Sequence, residues 1–388
     1  MNTRDKFLAC MAFEANSPGP KWEYGYWAGV VRRWHKEGLK PVVGIPDHLH
    51  GGQAIRAELM GVKSGGFVDQ DINQLLEMDE PERRIPVVNF IHPLLEKKII
   101  EDHDTWYIYQ DGWGIVKQEK KDRSAPERFL SAPIKTWADW EKVKSERLQA
   151  DTPGRLPHNW KELVKSYKER TYPLVIGGEQ GFFGSVRYLL GDVDVLTTFY
   201  DQPKLIHAIN NHLCEFWQQL YGYVLKDITP DVALIWEDMC YKNGPLISPK
   251  MFEEYCLPYY KRLTGFFRDF GINIIHVDTD GDTWKLVQLF IDGGVTGLFP
   301  MEVAANMDVA KLREAFPRLQ MMGGVDKLKL MTICQDIDTE LDQKIIPTIS
   351  RGGYIPMVDH LVPPEVSWEN FLYYRTKLNH AIEAASKA

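Results

Sequence analysis

Short apolar runs rich in β-branched residues recur through the second half of the chain, each followed by a longer stretch of helical periodicity. The runs are Leu174–Ile176, Val232–Trp236, Ile272–Val277, Val295–Phe299, Leu319–Met322 and Tyr354–Val358. Helical patterning covers residues 181–200, 203–226, 248–269, 283–292, 308–316, 336–350 and 367–385. Unbroken apolar runs predict strands buried on both faces, and strand–helix alternation predicts a parallel sheet with helices outside it. The number of repeats favours a closed (β/α)₈ barrel of the TIM type over an open doubly wound sheet. No Gly-x-Gly-x-x-Gly follows a strand, so a nucleotide-binding Rossmann unit has no support.

The first half is less regular. Residues 3–13 predict a short helix with Phe7 and Met11 on one face, and Pro18-Gly-Pro20 then breaks the chain. An aromatic segment follows, with Trp22, Tyr24, Tyr26, Trp27 and Trp34. Residues 44–66 read as an irregular insertion or a lid, and Ile85–Phe90 as a strand. Asp111-Gly112 between two β-rich runs predicts a β-hairpin over residues 106–117, a decoration on the main sheet. Residues 136–170 are charged and helical. The expectation is one domain over 1–388, an N-terminal part with insertions (1–170) preceding the regular part (171–388).

Polar residues fall just after the apolar runs. In a barrel they gather at one rim, where the carboxyl ends of strands collect ligands and catalytic groups. Glu237 and Asp238 follow the second run, His276 and Asp278 end the third, Glu302 follows the fourth, and Asp359-His360 follows the sixth. Side chains alternate along a strand, so His276 and Asp278 share a side. Asp359 and His360 are adjacent, so strand geometry turns one of them inward. Asp280 and Asp282 read as turn and cap residues. His, Asp and Glu are ordinary zinc ligands, and three with an open position make a catalytic site. A metal-free rim of carboxylates moving protons is the alternative.

Composition narrows the class. The chain has 388 residues and 46 basic against 54 acidic side chains, a net charge of -8. No basic run stands out to meet phosphates, which argues against nucleic acid as a partner. No stretch has the length of a membrane span or a signal peptide, and five scattered cysteines favour reduced thiols, so the expected location is the cytoplasm.

The chain resembles the uroporphyrinogen decarboxylase superfamily, which includes cobamide-dependent methyltransferases. The similar segments are Glu237-Asp-Met-Cys-Tyr-Lys-Asn-Gly-Pro-Leu-Ile-Ser-Pro249, Phe252, Pro258-Tyr-Tyr260, His276-Val-Asp278, Gly293-Gly-Val-Thr-Gly-Leu-Phe-Pro300, Gly323-Gly-Val-Asp326 and Gly352-Gly-Tyr354. Arg4-Asp-Lys-Phe-Leu8 and Asp111-Gly-Trp-Gly114 also fit. The resemblance implies a (β/α)₈ barrel, a homodimer, and a site at the strand carboxyl ends. Two departures stand out. Decarboxylases of this family carry an arginine-bearing Met-Arg-Gln-Ala-Gly-Arg segment. Here that place holds Trp22-Glu-Tyr-Gly-Tyr-Trp27, with no arginine until Arg32-Arg33, so a porphyrinogen would meet Glu23. The methyltransferase branch holds zinc through His-x-Cys and a later Cys. Here His276-Val-Asp278 and Asp359-His360 stand in those places.

On this resemblance the expected activity is metal-dependent methyl transfer between a small methylated substrate and a corrinoid carried by a partner protein. The divalent metal, zinc by preference, would be held by His276, Asp278 and Asp359 or His360. Glu237, Glu302 and Asp278 would be catalytic, and Trp22, Tyr24, Trp27 and Asp238 would line the substrate. The alternatives are a metal-independent decarboxylase of a small acid and a non-catalytic ligand-binding barrel.

Overall fold

A computed structural model describes every residue except 48, 56–68, 123–126, 179 and 388. The strands in chain order begin with β1 (Arg83–Arg84), followed by β2 (Lys98–Asp102), β3 (Trp106–Gln110), β4 (Val116–Lys120) and β5 (Arg128–Ser131). Then come β6 (Leu174–Gly177), β7 (Val232–Trp236), β8 (Cys240–Tyr241), β9 (Gly244–Pro245), β10 (Ile274–Asp278), β11 (Gly297–Met301), β12 (Gln320–Val325) and β13 (Tyr354–Val358). Seven of them form a parallel sheet in the order β1-β6-β7-β10-β11-β12-β13. The order follows the chain, as it does when each crossover helix returns the chain to the next strand position. β2 to β5 make a separate antiparallel sheet, in which Trp106 pairs with Lys120 and Gln110 with Val116.

Between β13 and β1 lies the segment 21–27, bonded to its neighbours on both sides. Asp79 N donates to Lys21 O (3.1 Å), and Val362 N donates to Gly25 O (2.9 Å). Glu23 ties the segment further. Its carboxylate accepts Val358 N (2.7 Å) and the Tyr374 hydroxyl (3.0 Å), and pairs with Arg375 at 3.3 Å. The helix Thr3–Met11 closes the end where the strands begin. Its Phe7, Cys10 and Met11 pack against Val175, Val232, Leu234 and Ile355, and Cys10 O accepts Gly353 N at the start of β13.

Several expected elements shift or split for local reasons. Ile85–Phe90 is not a strand. Ile85 N still bonds Val175 O, but Pro86 has no N–H to continue a ladder, and the next residues run to Arg155 and Trp217 instead. The ladder residues are Arg83 and Arg84, just before it. The helix expected over 181–200 is two, Gly184–Leu190 and Asp194–Asp201, with Gly191 at φ 97° between them. That over 248–269 divides at Cys256, where Pro258 starts a new helix in its first turn. The insertion or lid expected over 44–66 lies largely outside the described residues. No helix among the described residues is long and apolar enough to cross a membrane.

The Glu23–Arg375 pair is buried, with side-chain exposures of 1% and 0%. Arg375→Leu is expected to cost about 3–5 kcal/mol, because Glu23 would be left in a dry interior without its counter-ion. Urea unfolding checks it; a loss below about 1 kcal/mol would show that the pair does not anchor the segment.

Candidate active site

At the carboxyl ends of the strands a cavity of about 100 Å³ opens toward segment 21–27. Phe299, Met322 and Met357 give it an apolar floor, and Trp22, Tyr24 and Tyr26 line one side. Arg84, Glu82 and Asp278 supply charge. The Arg84 guanidinium donates to Gly178 O at 3.4 Å, and its Nε stands 3.9 Å from Glu82. No ion pair joins Arg84 to Asp278, so the two charges face the cavity separately. The Tyr26 hydroxyl, on a residue 1% exposed, has no hydrogen-bond partner among the described residues.

Above the cavity the rim is crowded with acids. Burial pushes the Asp278 carboxyl up from 3.8 to about 7; Asp238 and Glu82 push the same way, and Arg84 opposes them. Asp280 is pushed up to about 8, by burial first and then by Glu302, Asp278 and Asp238. Like charges gathered in a poorly solvated place take up protons rather than all ionise. Glu302 accepts Gly281 N at 2.7 Å, which holds the turn carrying Asp280. Asp238 adopts φ 45°, a left-handed conformation that Asp tolerates, and pairs with Arg187 at 2.9 Å. His360 lies tilted over the Tyr24 ring at 4.9 Å, with Nε2 3.9 Å from Asp280, and burial lowers its pKa.

The structure brings together Asp278, Glu302, Asp238, Asp359, His360, Trp22 and Tyr24 from the residues singled out in the sequence. It does not bring in three others. Glu237 is fully buried and turned to the start of the helix Gly184–Leu190, where it accepts Phe182 N (2.8 Å), Phe183 N (2.7 Å), Gly184 N (2.8 Å) and the Tyr260 hydroxyl. Those donors occupy both oxygens, so Glu237 anchors a loop instead of meeting a substrate. Trp27 does not line the cavity; it precedes the helix Ala28–Glu37, and Tyr26 lines the cavity in its place. His276 shares a side with Asp278 but sits two residues deeper. It is 3% exposed, packed beside Phe7, and its Nε2 is 2.9 Å from Gln320 Oε1. Gln320 in turn donates to Met11 O at 2.8 Å, which links His276 to the helix Thr3–Met11. Burial pushes His276 down to about 4, so its ring is neutral.

The donor set does not fit a metal. His276 is committed to Gln320. Asp359 is held by Lys327 (3.0 Å) and Val303 N (3.1 Å). No group of three His, Cys, Asp or Glu among the described residues is placed to share an ion. Asp359 and His360 both reach the rim because they lie past the end of β13, where strand alternation no longer governs direction.

The functional-looking residues that sequence reading missed are Arg84, Glu82, Asp280 and Lys327. Arg84 was hidden by placing the strand at Ile85. It supplies the guanidinium that segment 22–27 lacks, while Arg32 and Arg33 bond to Pro46, Glu37 and Pro364 away from the cavity. Within Asp280-Gly-Asp282, Asp282 holds a turn ahead of the helix Val287–Asp292, accepting Trp284 N at 3.1 Å; Asp280 Oδ1 is buried and unpartnered among the described residues.

Residues 122–376 match the family model for uroporphyrinogen decarboxylase (URO-D). Two proteins named uroporphyrinogen decarboxylase, from Citrifermentans bemidjiense and Geobacter sp. strain M21, are 22% identical over 255 residues, spanning 64% of this chain and 71% of theirs. A solved methyltransferase from Methanosarcina mazei shares the fold over 100% of this chain and 98% of its own, with a TM-score of 0.57 and 14% identity.

His276→Ala is expected to lower stability by about 1–3 kcal/mol, through the unpaired Gln320 left behind. Thermal unfolding and metal analysis on the same preparation check this. Loss of bound metal at unchanged midpoint would reinstate His276 as a ligand.

Proposed function

The chain belongs to the uroporphyrinogen decarboxylase family, and from that premise we propose that it is a metal-independent decarboxylase of a small acid with an apolar or aromatic body. One observation carries this reading: a guanidinium and a carboxyl, Arg84 and Asp278, face one apolar-floored cavity without pairing to each other. Arg84 is suited to hold a carboxylate that does not react. Trp22, Tyr24 and Phe299 offer flat apolar surface to the substrate body. A second carboxylate placed over Met322 and Met357 would be poorly solvated, and carbon dioxide carries no charge, so its departure relieves that cost. As the carbon–carbon bond breaks, the electron pair stays on the substrate carbon. Asp278 in its acid form donates a proton there, and water reaching the rim through Asp280 returns one. Asp238, Glu302 and Asp359 hold the rim and keep its acids coupled.

Around this site we read residues 1–388 as one domain, a (β/α)₈ barrel whose eighth place is taken by segment 21–27. The β2–β5 sheet is its decoration.

A second reading is methyl transfer with a corrinoid partner, favoured by the full-length likeness to a methyltransferase fold. It requires a divalent-metal centre that His276, Asp278, Asp359 and His360, as placed, do not make.

The test is a panel of small aromatic and aliphatic acids offered to chelator-treated protein, with carbon dioxide as the readout. Release without metal is expected, and Asp278→Asn should slow it by about 10²–10⁴-fold. Methyl transfer to an added corrinoid that appears only on adding zinc, with no carbon dioxide from any acid, would sink the decarboxylase reading.

The pH dependence has a definite sign. With its carboxyl at about 7, Asp278 holds the needed proton below that pH, so activity falls as pH rises through about 7 to 8. Stability moves the same way. The folded state keeps a proton that the unfolded chain loses near 3.8, so the stabilisation present below that pH is lost as pH rises to about 7. Asp278→Asn removes that loss. Its midpoint should exceed the wild-type midpoint at pH 8 by more than it does at pH 4, which differential scanning calorimetry checks.

A further inference from the structure

Tyr26 lines the cavity and is 1% exposed, yet its hydroxyl has no hydrogen-bond partner among the described residues. The side chain is not free to turn and find one. Its ring stands edge-on to Trp34 (5.8 Å) and Phe371 (5.7 Å), and its carbonyl accepts Ile55 N at 2.9 Å. A buried hydroxyl left unpaired costs stability. One held fixed against a cavity wall is matched by a partner inside the cavity.

Different charges act at the Tyr26 end of the cavity and at the Asp278 end. Glu23, Arg375 and Asp69 act on Tyr26, whereas Arg84, Asp238 and Glu82 act on Asp278, with no group in common. Asp69 caps the helix Gln70–Leu75, and Asn73 on that helix also lines the cavity. The Tyr26 end suits a neutral group better than a second anion. Two acids, Glu23 and Asp69, stand near it, and the one arginine there is already paired with Glu23 at 3.3 Å. Burial first, then Glu23 and Asp69 against Arg375, push the Tyr26 hydroxyl well up from its ordinary pKa, so it keeps its proton and donates. A hydroxyl on the ligand can accept that bond and offer its own proton to an amide such as that of Asn73, whereas a bare ring edge leaves Tyr26 unpaired.

We propose that Tyr26 determines specificity, and that the substrate is a hydroxyaryl carboxylic acid. Its carboxyl end lies toward Arg84 and Asp278, its ring lies against Trp22, Tyr24 and Phe299, and a ring hydroxyl across from the carboxyl end accepts a hydrogen bond from Tyr26. The orientation of the acid rests on the decarboxylase reading above; the hydroxyl is the group that reading leaves open.

Isothermal titration calorimetry on the full chain tests it, with carbon dioxide release followed separately. The probes are para-hydroxybenzoate and para-hydroxyphenylacetate, their parents benzoate and phenylacetate, and terephthalate, which carries a second carboxylate in place of the hydroxyl. The better-bound hydroxy acid is expected to bind wild type about tenfold more tightly than its parent, the effect of one hydrogen bond. Terephthalate should bind no better than benzoate. Tyr26→Phe should bring the hydroxy acid down to the level of its parent. It should also melt no lower than wild type, because it removes a hydroxyl with no internal partner. A wild type that binds none of these acids, or shows no preference for the hydroxyl, overturns the proposal. So does a preference that survives in Tyr26→Phe, tighter binding of terephthalate than of the hydroxy acids, or a lowered midpoint in the variant. Binding is read apart from turnover, so a hydroxyl preference lost in Tyr26→Phe upholds the subsite even where no acid releases carbon dioxide and the decarboxylase reading alone falls.

Discussion

A carboxylate removed from water must find donors, a counter-charge or a proton, and the carboxyl end of this parallel sheet shows all three outcomes side by side. Glu237 finds donors, three backbone N–H groups and the Tyr260 hydroxyl. Glu23 and Asp359 find counter-charges in Arg375 and Lys327. At the opposite end of the strands Asp231 is clasped by Arg4 and Arg170. Asp278 and Asp280 face burial and neighbouring acids that outweigh Arg84 at the one and Lys327 at the other, and their pKa values rise to about 7 and 8. The acids with partners hold the structure together.

The segment held between the two outer strands also lines the cavity. Glu23 anchors residues 21–27 between β13 and the chain before β1, while Trp22, Tyr24 and Tyr26 on that segment line the cavity wall. Side chains on neighbouring positions therefore anchor the segment and line the cavity at once. Deeper in the sheet the line from His276 through Gln320 to Met11 fixes the floor under the apolar residues. A site that keeps two acids protonated near neutral pH is destabilising in itself, and this anchored surround keeps it in place.

Much of this was legible in one dimension. Two strands, Val232–Trp236 and Tyr354–Val358, fall where the apolar runs placed them, and the long helices Pro203–Leu225 and Trp368–Ala385 nearly so. Strand-end position picked out Asp278, Glu302, Asp238 and the Asp359-His360 pair. Local sequence could not say which acid finds partners. The backbone donors to Glu237 lie more than 50 positions earlier, and the partner of His276 lies 44 positions later. A motif such as Glu237-Asp238 looks identical whether its first member caps a helix or meets a substrate.

Apolar periodicity thus determined the layering of this protein, because burying the runs on both faces leaves few arrangements other than a parallel sheet under helices. Chain order along the strand ends determined which polar residues share a rim. Tertiary structure alone decided their roles. It brought Arg84 beside Asp278 from 194 positions away, gave Glu23 to Arg375, and turned His276 toward Gln320. The reason is physical: a side chain's protonation and hydrogen bonds are set by whatever packs within a few ångströms of it, and those neighbours come from distant parts of the chain.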